Sequence, residues 1–194
     1  MPFQEIINIT PIELIAGFGY LIGHFLLSKK HVSGWIIKII GGIAWGVFLF
    51  HNENYIFMAV TTVIVLTMIY GFYKWKVGKY NQRTKIDTFF EIFAAIVAIF
   101  MISRFVISGI YQLAPVFETI IVVAEILGTV LLARKKMAGW YSYIVMSSLV
   151  GILVIFINPN PAVILGILEM ASIYFYYKGI QNFSKNTLAS PPLR

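Results

Sequence analysis

Seven apolar stretches, each long enough to cross a bilayer, constrain this chain more than any other feature. They run over 11–28, 33–50, 55–76, 87–108, 116–133, 138–157 and 161–180. A hydrocarbon core about 30 Å thick takes roughly 20 apolar residues per helix. Barrel strands do not fit, because they alternate in polarity and number about ten residues. Lipid offers no hydrogen bonds, so each segment must satisfy its own backbone, and an all-α polytopic membrane protein is predicted. Composition agrees: 59% of the 194 residues are hydrophobic and 12% are charged. A soluble domain of this length leaves about a third of its unfolded surface exposed and could not hide so much apolar area. Cytosolic enzymes, disordered regulators and nucleic-acid modules are thereby excluded. There is no cysteine, hence no disulfide, thiolate metal site or thiol nucleophile. Met1-Pro2-Phe3-Gln4-Glu5 lacks the basic start of a signal peptide, so the first apolar stretch is expected to remain.

The connections fix the expected orientation. Lys29-Lys30, the Lys74–Lys85 segment, Arg134-Lys135-Lys136 and the C-terminal tail are basic. The loops at His51–Asn54, Pro115 and Asn158–Pro161 are not. All but Lys38 and Arg104 of the 15 Lys and Arg therefore fall on one side. The positive-inside rule makes that side cytoplasmic, with the N-terminus outside and the C-terminus inside the plasma (inner) membrane. This also explains the net charge of +7 without a nucleic-acid partner.

Shifted by 105 residues, the chain overlays itself. Glu13 meets Glu118, Gly23 meets Gly128, Lys30 meets Lys135, Gly34-Trp35 meets Gly139-Trp140, and Gly46 meets Gly151. Past the outer loop the match resumes at 104, with Ile69-Tyr70 on Ile173-Tyr174 and Tyr73-Lys74 on Tyr177-Lys178. The expected organisation is 3+1+3: a first three-helix repeat at 11–76, a linker helix at 87–108, a second repeat at 116–180 and a cytoplasmic tail at 181–194. Four helices separate each member from its copy, so the repeats are parallel, a transporter architecture with the site near the midplane. The alternative is a duplication that only builds a stable bundle.

Ala133-Arg134-Lys135-Lys136-Met137-Ala138-Gly139-Trp140 followed by Tyr143, and Ile69-Tyr70-Gly71-Phe72-Tyr73-Lys74-Trp75, resemble signatures of the PnuC-like nicotinamide riboside and vitamin transporters. The resemblance spans about Glu13 to Phe183. It implies a seven-helix, SWEET-like fold and facilitated diffusion of a vitamin precursor or nucleoside that a cytosolic kinase then traps, feeding NAD synthesis. The family commonly places Trp-x-x-Trp and then Asn on helix 6, where this chain has Trp140, Tyr143 and Ser147. A Gly-x-x-x-Trp ending on helix 7 is replaced by Phe175 and Gly179 at the positions matching Gly71 and Trp75. Thiamine, riboflavin or deoxynucleoside transport stays open at this point.

Ionisable groups in hydrocarbon cost about 2.5–3.5 kcal/mol, so each needs a reason. Glu125 and Glu169 lie mid-membrane on helices 5 and 7, either to contact substrate or as buried carboxyls bonded to Ser or Tyr. Glu169 matches apolar Val65 in the first repeat, and that asymmetry suits one asymmetric ligand. Ser147 and Tyr143 on helix 6 and the deep Trp45, a flat plate for a heterocycle, complete the expected substrate contacts. Ser142, Ser148, Thr61, Thr62 and Thr67 either extend a polar path or bond back to their own helices. Trp35, Trp140, Tyr70 and Trp75 stand near the cytoplasmic boundary as interface anchors or gate aromatics. His24 is a proton relay or a packing histidine. Lys38 and Arg104 are expected to snorkel, and Asp87 and Glu91 to serve the start of helix 4. Gly19/Gly23 and Gly42/Gly46 read as close helix packing.

No cofactor or metal is expected, since nucleotide-loop, zinc-helix and nucleophile-elbow motifs are missing. ATP-driven transport by this chain alone is not expected either. The expected partners are a small-molecule substrate and the lipid bilayer, with self-association into a homo-oligomer left open. Two rivals remain: an intramembrane enzyme built on Glu125, Glu169 and His24, which lacks a nucleophile, and a sugar carrier, which would prefer Asn and Pro within its helices.

Overall fold

The computed structural model describes residues 10–80, 82–108, 113–157 and 163–188. Among them lie seven α-helices: α1 (Pro11–Ser28), α2 (Ser33–His51), α3 (Tyr55–Val77), α4 (Lys85–Ser108), α5 (Leu113–Ala133), α6 (Ala138–Ile152) and α7 (Val163–Leu188). A single π-turn, Leu153–Ile157, continues α6. Four helical segments, Pro11–Ser28, Ser33–His51, Phe57–Val77 and Val116–Ala133, are long and apolar enough to cross a membrane. Large apolar side chains such as Ile40, Phe89, Ile99 and Val106 are more than half exposed on the outside of the bundle, where lipid tails are the natural solvent.

Local chemistry sets the helix ends. Thr10 and Glu13 form a reciprocal capping box at the start of α1, with Pro11 in the first turn. At the far end Lys30 takes φ 63°, and the Lys30 and His31 amides bond back to the Leu27 and Leu26 carbonyls. Lys135, at φ 52°, repeats this arrangement at the end of α5, with Lys135 and Lys136 bonding to Leu132 and Leu131. These left-handed caps satisfy carbonyls that a helix terminus would otherwise orphan. The turn also turns the chain sharply enough for α1 to pair with α2 and α5 with α6. Burial draws both the Lys30 and Lys135 ammonium groups below their usual range, and Lys30 adds repulsion at Lys135. Lys135 is held 3.7 Å over the Tyr80 ring.

Some helix ends differ from the sequence expectation. Pro115 does not precede α5 but lies in its first turn, where its missing N–H would have had no helical partner anyway. The expected tail is helical as far as Leu188. Asn158–Pro161 and the last six residues lie outside the described residues, as does the Arg104 side chain.

Packing follows a pattern. α1 packs on α2, α2 on α3, α5 on α6 and α6 on α7. Between the halves α1 meets α7, and α3 meets α5. Glycine lets the backbones touch: a Cβ on Gly34 would stand 2.7 Å from the Gly23 carbonyl oxygen, and one on Gly139 2.8 Å from that of Gly128. α4 packs on α5. At its start Asp87 caps through Thr84 and takes a 2.8 Å ion pair from Lys74 of α3.

Candidate functional site

A cavity of about 360 Å³ lies at the Asn54 end of the bundle, ringed by six helices. α1 contributes Ala16, Gly17 and Tyr20 from its first half, and α2 contributes Trp45 and Leu49 from its last. Phe57 to Ile64 of α3, Glu118 to Glu125 of α5, Met146 and Val150 of α6, and Glu169 of α7 close the ring. Every one of these segments lies towards the Asn54 end of the molecule. The volume is within the range of small-molecule sites. The wall carries three carboxyls, Glu118, Glu125 and Glu169, and no Lys or Arg among the described lining residues. Trp45 stacks on Phe48 at 5.0 Å and presents its ring to the space.

Below the cavity the bundle is sealed by hydrogen-bonded aromatics. Ser147 donates its hydroxyl to Glu169 at 2.5 Å and lies 3.0 Å from the Tyr176 hydroxyl. Tyr176 reaches His24 Nδ1 at 3.0 Å. Tyr143 and Tyr176 stack at 5.5 Å, and the Tyr143 hydroxyl bonds Thr129 and receives a 2.7 Å bond from Lys38. The buried Nε atoms of His24 (Nε2), Trp35 (Nε1) and Trp140 (Nε1) have no partner here.

The structure thus brings Glu125, Glu169 and Trp45 to one cavity, with Ser147 bonded directly to Glu169 and Tyr143 in the layer beneath. Three expectations need correction. Lys38 does not snorkel: it is fully buried, 3.9 Å from Glu125. Trp35 and Trp140 are not interface anchors, for both are wholly inaccessible, and Trp75 and Tyr70 are buried as well. Thr67 follows the back-bonding alternative given above, donating to the Ile64 carbonyl. Glu118 and Tyr20 line the cavity although neither was singled out from sequence. The matching of Glu118 with Glu13 was the one available signal.

The third correction concerns register. The Trp35 indole lies against Gly71 and meets Trp75 edge-on at 5.7 Å and 87°. Trp140 lies against Gly179 and meets Phe183 edge-on at 5.7 Å and 83°. The same contact therefore recurs at a spacing of 108, not 104. From Gly46 to Gly71 there are 25 positions, and from Gly151 to Gly179 there are 28. The π-turn lies within that longer stretch. In place of the Gly-x-x-x-Trp ending a Gly-x-x-x-Phe counterpart, Gly179 to Phe183, stands one turn later. By the same contacts Glu169 corresponds to Thr61, also on the cavity wall, and not to Val65.

Residues 10–183 match the family model described as nicotinamide mononucleotide transporter. The crystal structure of the vitamin B3 transporter PnuC shares the fold, with a TM-score of 0.68 over 93% of this chain and 83% of that one at 16% identity. No curated protein sequence matches the chain.

Proposed function

The chain belongs to the nicotinamide mononucleotide transporter family, and from that membership we propose that it carries a nicotinamide nucleoside, nicotinamide riboside, across the plasma membrane. The observation that carries this reading is an aromatic cavity lined by carboxyls, with no basic residue among its described lining residues. Nicotinamide riboside is a flat pyridinium cation on a neutral sugar. Trp45, Tyr20 and Phe57 offer π faces that attract such a ring, and Glu169 offers a carboxyl at its depth. A mononucleotide would bring a phosphate to a wall whose described residues include no Lys or Arg to receive it, which favours the unphosphorylated cargo. Thiamine, also an aromatic cation, is the second reading on the same ground.

Transport is passive, and cytosolic phosphorylation of the cargo keeps the gradient inward. Helices α1–α3 and α5–α7 act as parallel repeats joined by α4, and the exchange of α1·α7 contacts for α3·α5 contacts supports that arrangement. Trp35 and Trp140, seated on Gly71 and Gly179, gate the cytoplasmic half. The protein performs no chemistry on its cargo.

In proteoliposomes, labelled nicotinamide riboside should equilibrate without ATP or a membrane potential. Accumulation above the outside level that a protonophore abolishes would contradict the passive mechanism. Orientation has its own check. A reporter active only in the cytoplasm should work when fused at Lys79 or the C-terminus and be silent at Asn54 and Pro159. Activity at Asn54 would invert the topology and turn the cavity mouth towards the cytoplasm.

A further inference from the structure

Among the described residues Lys38 is the one cation wholly enclosed at mid-bundle, and the reading as a transporter of a cationic nucleoside leaves it without a task. Its ammonium donates to Tyr143 at 2.7 Å, lies 4.1 Å over the centre of that ring and 5.5 Å from the Tyr20 ring, and stands 3.9 Å from Glu125 Oε1. Tyr20 and Glu125 face the cavity, whereas Lys38 does not line it. The ammonium is therefore packed directly behind the wall that the substrate touches. Glu125 Oε1 has no hydrogen-bond partner; Tyr20 hydrogen-bonds the carboxyl, and the cation nearest to it is Lys38. Glu169 differs. Its neighbour is the Ser147 hydroxyl, and among the described residues no cation lies within ion-pair distance of it; Lys38 acts on it only from farther off, and less than on Glu125.

We propose that Lys38 is a specificity-determining residue that offsets Glu125 from behind the wall, leaving Glu169 as the carboxyl at that depth with no cation in ion-pair distance, so that the cavity presents its negative charge to a cationic ligand at Glu169. This rests on the cationic-substrate reading given above. A charge left without its partner in a site that excludes water acts strongly on whatever enters, because screening is weak there. Tyr143 holds the ammonium in place: its hydroxyl is fixed by Thr129 at 2.7 Å, and its ring lies under the charge. Lys38 and Tyr143 are also 105 residues apart, the spacing of the internal repeat, so the bond joins matching positions of the two halves. Each half thus contributes one member to the device, and the charge it balances sits on the second half alone.

Binding of nicotinamide riboside to the purified full chain, measured by calorimetry, decides the matter. Glu125→Gln strands the Lys38 charge and should weaken binding by about tenfold or more. Combining Lys38→Met with Glu125→Gln removes both charges and should restore affinity to within about threefold of the unaltered protein, since separate effects cancel only for coupled sites. Lys38→Met should not rescue Glu169→Gln. A double variant as weak as Glu125→Gln would place Glu125 on the substrate itself and overturn the proposal. If Glu125→Gln is not monodisperse, comparing the double variant with the unaltered protein suffices: near-parity supports the pairing and a tenfold loss overturns it. No binding of nicotinamide riboside to the unaltered protein would instead remove the cationic-substrate reading, and this inference with it.

Discussion

Replacing Glu169 by Gln is expected to weaken nicotinamide riboside binding by roughly 10- to 150-fold, the range for losing about 1.5–3 kcal/mol from a hydrogen bond to a charged group. The fold should be unchanged. Gln keeps the volume and one acceptor for the Ser147 hydroxyl, which at 2.5 Å is the contact that aims the carboxyl. What it loses is any charge to set against the pyridinium ring. Ser147→Ala should act in the same direction but less, because it frees the Glu169 side chain without neutralising it. Tyr176, 3.0 Å from the Ser147 hydroxyl, would then lose one partner as well. Uptake into proteoliposomes and calorimetric affinity should fall together. Normal binding by a monodisperse Glu169→Gln protein would assign the residue to the scaffold and leave the cation to Glu118 or to the aromatic wall.

The helices were legible because their lengths are set by the bilayer and their ends by short polar connections. Which way each side chain faces was not. A helix that is apolar all round has almost no amphipathic phase to read, and α3 and α6 are of this kind. Lys38 on α2 is missed for another reason: near a helix end a lysine can snorkel as well as bury, and only Tyr143 and Glu125, on helices distant in sequence, decide between the two. Trp35 and Trp140 fail for a related reason. Their depth suits an interfacial indole, yet Gly71 and Gly179 offer a flat backbone in which the ring is buried completely. The carboxyls were easier, since an acid in the middle of an apolar run stands out whatever face it takes. Glu118 was hidden by lying nearer the helix end, where an acidic residue needs no explanation. The register at the end of α7 was obscured by three additional residues ahead of it, a change that a search for identical columns absorbs in the wrong place. Gly179 and Phe183 become recognisable as a pair only once their indole partner is seen.

Substituting Ala for Gly34 or Gly139 should strongly destabilise the protein, as should Ala at Gly19, whose Cβ would meet Gly41 Cα at 2.7 Å. At Gly34 the new Cβ would meet the Gly23 carbonyl oxygen at 2.7 Å and the Leu27 amide nitrogen at 2.8 Å. At Gly139 it would meet the Gly128 oxygen and the Leu132 nitrogen, both at 2.8 Å. These are backbone atoms of a neighbouring helix, so no side chain can turn aside, and the helices must separate. Forcing a packed core apart costs about 1–3 kcal/mol per methylene and sometimes more, and in lipid close packing is itself the main force between helices. The two sites lie in separate helix pairs with no shared partner, so their costs should add to within about 0.5 kcal/mol. Gly46 is the control. Its nearest neighbour would be Thr61 Cγ2 at 3.9 Å, an ordinary contact, and Ala there should stabilise by up to about 1 kcal/mol through helix propensity alone. Thermal unfolding in detergent should therefore rank Gly46→Ala above the unaltered protein, each clashing variant below it, and the Gly34→Ala, Gly139→Ala double variant last. Because α1 carries Tyr20 and α5 carries Glu125 on the faces next to these contacts, the clashing variants should also lose substrate affinity. Equal stability of Gly34→Ala and Gly46→Ala would mean that α1 and α2 do not touch through their backbones, and the cavity wall built on that contact would have to be redrawn.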